Sequence, residues 1–178
     1  MAYEYVVQTE DGAEIGGFLM GGGFRDYQLP NGEHCPVPEA PAWCNNCRAF
    51  VAAERVPSLP EIDEELNAAR SGGAGYRSWL PQEGNLPWRD DDAEFWDEFA
   101  YKAVTRATQT RTWRLLRRGP PRCLLCASTS VMVVEEGKVQ IAHPITGQQL
   151  RIHWVGHVRV SDDEYYTVEG LPISSTTP

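Results

Sequence analysis

The sequence predicts an α+β fold in which an antiparallel β-sheet carries two Cys-x-x-Cys knuckles and a two-helix insertion separates them. Three observations predict it. Cysteines pair twice at a two-residue gap, Cys44-Asn45-Asn46-Cys47 and Cys123-Leu124-Leu125-Cys126. The chain between the pairs has helical periodicity with start and stop signals, whereas the flanking segments alternate as strands do. At 178 residues with 42% hydrophobic content, including six Trp, seven Tyr and five Phe, the chain can bury a core of its own.

From the N-terminus, Tyr3, Tyr5 and Val7 alternate with Glu4, Val6 and Gln8, which reads as a first strand. The glycine-rich run from Gly16 to Phe24 lacks both the GxGxxG and the GxxxxGK[ST] spacings. It therefore reads as a flexible hairpin that buries Phe18, Leu19 and Phe24. Four prolines from Pro30 to Pro41 make an extended approach to the first cysteine turn. Residues Ala49 to Ala53 form the strand that leaves it.

Ser58-Leu59-Pro60-Glu61 has the form of a capping box. It opens a helix that runs to about Arg70 and turns Ile62, Leu66 and Ala69 to one side. Ser71-Gly72-Gly73-Ala74-Gly75 ends that helix. Residues 76–89 read as an irregular aromatic loop packed through Trp79 and Trp88. A second, longer helix starts near Asp90-Asp91-Asp92 and stops before Gly119-Pro120-Pro121, with Phe95, Trp96, Phe99, Ala103 and Trp113 on its buried stripe.

Beyond Cys126 the period is that of strands. Thr129–Val134 and Val139–Ala142 read as a hairpin about the turn Glu135-Glu136-Gly137-Lys138. One long half-exposed strand follows from Leu150 to Val160, then another over Tyr165–Val168, then a disordered tail, 174–178. The organisation expected is a single domain over 1–173. Its β part covers about 1–57 and 119–170, and the helical insertion about 58–118.

The four paired cysteines, Cys44, Cys47, Cys123 and Cys126, are the candidate metal ligands. Two-residue gaps let both sulfurs of a tight turn face one ion, and four thiolates close a tetrahedral site. One structural zinc per chain is expected, with iron the chemical alternative for the same sulfur set. Such a site carries about two negative charges, which Arg48 and Arg122, flanking the pairs, are placed to offset. Cys35 is the odd cysteine and reads as a spectator, within reach as a spare ligand. His153 and His157 share a strand face but stand about 13 Å apart, too far to share one ion on a straight strand. His143 precedes Pro144 nearby. No catalytic constellation or organic cofactor is read from the sequence.

The two knuckles, each followed by a short apolar strand, resemble those of a zinc ribbon or rubredoxin-like fold over residues 42–54 and 120–142. The departures are a separation of 75 residues between Cys47 and Cys123, against about 15–20 in a compact ribbon, and Arg48 and Ala127 where glycine often follows the second cysteine. The resemblance brings no function with it.

Net charge is −9 and the isoelectric point near 4.9, which disfavours a general nucleic-acid binder. No apolar run approaches the length of a membrane span, and the N-terminus has no signal-peptide form, so a cytoplasmic location is expected. The leading functional expectation is a zinc-stabilised, non-catalytic protein that works by contact with another protein, as an adaptor or as an inhibitor of a basic partner of the immunity type. Two alternatives stand beside it. One is nucleic-acid binding through the strip 102–122, which holds seven basic residues and no acidic one. The other is thiol–disulfide exchange, because Trp43-Cys44-Asn45-Asn46-Cys47-Arg48 resembles the thioredoxin active site.

Overall fold

The computed structural model describes residues 2–21, 24–80, 92–134, 140–160 and 163–173. Among them the chain divides into two compact units, one from residues 1–56 and 117–178 and the other from 57–116.

Among its described residues the first unit contains ten strands in three sheets: β1 (Ala2–Thr9), β2 (Glu14–Met20), β3 (Arg25–Gln28), β4 (His34–Pro36), β5 (Glu39–Cys44), β6 (Ala49–Glu54), β7 (Val131–Val133), β8 (Gln140–Ala142), β9 (Gln149–Val158) and β10 (Glu164–Tyr166). One sheet is antiparallel in the order β2-β1-β9-β8, a second antiparallel in the order β6-β5-β7, and a third runs β10-β3-β4 with β10 parallel to β3.

Alternation explains why the first two sheets have a common core. Val7 opposes Ile152, and Thr9 opposes Leu150, so these side chains share one face of the first sheet. They meet Trp43 and Phe50, cross-strand partners on β5 and β6, to form a cluster that Tyr5, Phe18 and Ile141 extend. Each fully buried member contributes on the order of 1.5–3 kcal/mol. The glycine-rich run is strand β2, with Phe18 and Leu19 half-buried and Phe24 buried, while residues 22–23 lie outside the described set. On β9 the pairing with β1 shifts by one residue between Glu4 and Tyr5, and the side chains beyond, from Trp154 onward, are largely exposed.

Two expectations for this unit need correction. Residues 131–133 and 140–142 do not pair with each other as a hairpin. β7 pairs with β5, setting Val131 opposite Cys44, and β8 pairs with β9 through the turn closed by His143 N–H on Gln148 O (2.8 Å). Short-range alternation identifies strands but not their partners, and here the cysteine turns and the 143–148 turn choose them. The connecting turn at 135–138 lies outside the described residues, as does the tail 174–178. The arrangement is also three sheets, not one.

The second unit contains α1 (Leu59–Arg70), α2 (Gly73–Trp79) and α3 (Ala93–Leu116). The capping box holds: Glu61 N–H donates to Ser58 Oγ (3.3 Å) and Ser58 N–H to the Glu61 carboxylate (2.6 Å). Ile62, Leu66 and Ala69 are buried on α1, and Trp96, Ala100, Ala103, Ala107 and Trp113 on α3, with Phe95 and Phe99 half-buried.

Among its described residues the insertion has three helices where the sequence predicts two. The glycines after Arg70 end α1 and also start α2. Gly72 adopts φ +87°, reversing the chain, and Gly73 begins the new helix hard against α3. A Cβ on Gly73 would lie 2.6 Å from the backbone carbon of Trp96, and its N–H donates to Asp97 Oδ1 (2.9 Å). Tyr76 is the buried anchor of this short helix, with Trp79 stacked on it. Of the expected aromatic loop, 81–89 lies outside the described residues, as do Asp90 and Asp91.

Candidate metal centre

β5 delivers Cys44 at its last position, and the turn 45–48 returns the chain into β6 with Ala49 opposite Cys44. The turn closes through Arg48 N–H on Cys44 O (2.8 Å), with Arg48 at φ +54°. Cys47 N–H also faces Cys44 Sγ (3.4 Å). The second turn repeats the design: Ala127 N–H donates to Cys123 O (2.9 Å) and Ala127 has φ +58°. Both residues that stand where a knuckle often has glycine therefore adopt the left-handed conformation that favours it.

Each turn is held by the other's strands. Leu124 N–H donates to Ala52 O (3.1 Å) and Glu54 N–H to Arg122 O (2.9 Å), which fixes the second turn along the outer edge of β6. On the opposite side Asn45 N–H donates to Ser130 O (3.0 Å), and the Asn45 amide reaches Ser130 Oγ (3.0 Å). Trp43 Nε1–H in turn holds Asn45 Oδ1 (3.0 Å), so a core residue orients the first turn.

This scaffold brings the four paired sulfurs together. Cys44 Sγ lies 3.7 Å from Cys126 Sγ and Cys47 Sγ lies 3.8 Å from Cys123 Sγ, and all four sulfurs lie within 4.8 Å of one another. A tetrahedron with metal–sulfur bonds of about 2.3 Å has edges of about 3.8 Å. The group can therefore hold one metal ion. Cys44 and Cys123 are buried beside Val51, with Ala49 and Val131 packed around them, whereas Cys47 and Cys126 are half-buried.

Burial pushes the Cys47 thiol up and the Cys123 thiol up to about 11. At Cys126 burial acts in the same direction, but hydrogen bonds from the Ser128 backbone and the Asn46 side chain outweigh it and bring the thiol down to about 6. Donors of this kind favour the charged sulfur that a metal requires, and an entering ion must displace the remaining protons.

The other sequence candidates lie elsewhere. Cys35 is buried on β4 with its Sγ toward Pro36 O, apart from the four-cysteine group. His143 packs edge-on against Trp43 and Phe50 while its Nδ1 accepts from Ile145 N–H and Thr146 N–H, a turn-forming role. His157 packs between Tyr3 and Trp154. Arg122 spans the second knuckle, donating to Ala127 O (2.9 Å) and Glu169 O (2.8 Å), while Arg48 is exposed. The strand β6 follows Cys47, so no helix N-terminus stands at Cys44 as the thioredoxin resemblance requires.

Sequence reasoning missed a buried ion pair next to the centre. Arg117 and Glu54 are both fully buried and meet at 2.5 Å. The Glu54 carboxylate also accepts from Tyr27 Oη (2.8 Å) and from Arg122 N–H (2.8 Å), while Arg117 donates further to Val168 O and Pro120 O. A Cβ on Gly170 would lie 2.0 Å from Glu54 Oε1, so only glycine lets the 167–171 turn close over this pair. The one local signal was a carboxylate ending the apolar strand AFVAAE; nothing local joins it to an arginine 63 positions away.

The fold and the site together define an α+β chain with a four-cysteine group on two knuckles, able to hold one metal ion, with a three-helix region between them. Among protein-family models, curated proteins and solved structures, none matches the chain.

Proposed function

We propose that the chain is a zinc-stabilised protein that works by contact with another protein and not by catalysis, with the ion in a purely structural role. Two of the sulfur separations, 3.7 and 3.8 Å, match the edge of a tetrahedral four-thiolate site, a geometry that zinc shares with iron, and zinc is the reading adopted for it. The observation that carries the contact reading is apolar surface exposed among the described residues of the first unit. Met132, Val133, Trp154 and Val155 are each 42–51% exposed. A groove of about 520 Å³ runs between β7 and β8 over Trp43 and Phe50.

Nucleic-acid binding through residues 102–122 is less well supported. Six of the seven cationic side chains there already bond within the protein: Lys102 to Glu98, Arg106 to Glu65, Arg111 to Asp63, Arg114 to Pro57 O, Arg117 to Glu54 and Arg122 to backbone carbonyls. Of the contact roles, an adaptor is favoured over an inhibitor of a basic partner, because the open apolar surface is not acidic. A cytoplasmic location remains part of the proposal. Among the described residues no helix is long and apolar enough to cross a membrane.

The test is affinity capture with metal-loaded protein from the cells that make it, at near-physiological salt and after nuclease treatment. The reading expects a stoichiometric protein partner that survives the nuclease. Retention of nucleic acid alone, or insulin-reducing activity that depends on Cys44, contradicts it.

A further inference from the structure

We infer that the outer face of α3 pairs with the same face of a second copy of this chain, the two helices running antiparallel about Thr108. Along α3, Tyr101, Thr105, Thr108, Thr112 and Leu115 recur at steps of four and three residues, the spacing of a coiled-coil seam. All five are exposed, Tyr101 by 73% and Leu115 by 48%. The opposite side of the helix is the one that packs on α1 and α2, through Ala100, Ala103 and Ala107. The seam is thus a second stripe, turned outward, and Leu116 widens it with 41% exposure.

No charged residue interrupts the seam over about four turns. Its threonine hydroxyls turn back into the helix: Thr105 Oγ1 donates to Tyr101 O (3.3 Å), Thr108 Oγ1 to Val104 O (2.7 Å) and Thr112 Oγ1 to Thr108 O (3.0 Å). With those donors already used, the threonines present methyl groups to a partner and require no new polar contact from it. Scattered exposed apolar side chains need no explanation, but Tyr101 and Leu115 close the two ends of one uncharged line.

Symmetry and charge select the occupant. A half-turn about Thr108 sets that residue against its own copy and Tyr101 against Leu115, the isologous arrangement of a two-fold dimer. The carboxylates of α3 are Glu94, Asp97 and Glu98 at its start, and its cations all lie from Lys102 onward. Antiparallel pairing sets the acidic start of each helix beside the basic end of the other, whereas parallel pairing sets like against like. The same half-turn brings Glu94 and Glu98 toward Arg118, two residues past the helix. Arg118 is the one cation of the strip 102–122 whose side chain has no partner among the described residues. A seam about 22 Å long and one helix wide falls below the roughly 800 Å² per partner of a standard interface, so the dimer is weak and reversible.

The experiment is sedimentation equilibrium of the whole metal-loaded protein from about 10 μM to about 1 mM. The wild type is expected to show a monomer–dimer equilibrium with half-association on the order of 100 μM. Thr108→Arg and Thr108→Glu each set like charges face to face on the two-fold axis, and each is expected to weaken association at least about tenfold. An equal mixture of the two variants is expected to associate again, because opposite charges then meet at that point. Both changes place a good helix former at an exposed position, so circular dichroism and melting temperature stay at the wild-type values. A wild type that is monomeric throughout, a Thr108→Arg variant that dimerises as the wild type does, or a mixture that stays monomeric overturns the inference.

Discussion

Arg48 and Ala127 occupy equivalent positions one residue after the second cysteine of each knuckle, at φ +54° and +58°. A side chain in that region costs on the order of 1 kcal/mol, which glycine avoids. Ala127→Gly is therefore expected to stabilise the metal-loaded protein by up to about 1 kcal/mol in urea titration, and Ala127→Val to destabilise it. The buried pair behaves differently. Arg117→Met leaves the Glu54 carboxylate without its cation in a fully buried site, and is expected to cost about 3–5 kcal/mol by the same measurement. Glu169 supplies a pH dependence. Burial acts to raise its carboxyl, but bonds from the N–H groups of Arg118 and Gly119 prevail and hold it below the usual 4.5. A depressed folded value contributes stability above about pH 4.5 that is lost as pH falls through the folded value. Stability measured from pH 6 downward should therefore fall more steeply in the wild type than in Glu169→Gln; equal slopes would contradict this assignment.

Elements formed where the sequence signal was local. The capping box, the end of α1 at Arg70 and the strand after Cys47 appear where side-chain chemistry within four residues specifies them. The four-cysteine group was legible for the same reason, since Cys-x-x-Cys spacing is itself the geometry of a turn. Elements that depend on distant partners were not legible. α2 hides in a segment with three glycines among five residues, and only the approach of α3 explains them. The split of β7 and β8 into different sheets follows from contacts between positions about 90 apart, such as Val131 with Cys44. Nothing in either strand's own sequence encodes that choice. Gly73→Ala puts a methyl group against the Trp96 backbone and is expected to cost about 1–3 kcal/mol in thermal unfolding. An unchanged melting temperature would show that the two helices can separate.

At the scale of the whole molecule, one ion held by the four sulfurs would close a chain of about 80 residues. A cross-link over such a loop is worth roughly 4–5 kcal/mol in chain entropy alone. In sequence the helical region, residues 57–116, lies between the two knuckles. The Glu54–Arg117 pair and the Tyr166 hydroxyl, which donates to Leu124 O (3.1 Å), tie the second knuckle to β6 and β10. Withdrawal of a bound ion is thus expected to loosen the joining of β5, β6, β7 and β10 around the second knuckle. The most direct test is elemental analysis of purified protein paired with unfolding before and after chelation. The account predicts one zinc per chain, no iron colour, and a melting temperature lowered by several degrees when the ion is withdrawn. Metal-free protein with four reactive thiols and an unchanged melting temperature in chelator would contradict it.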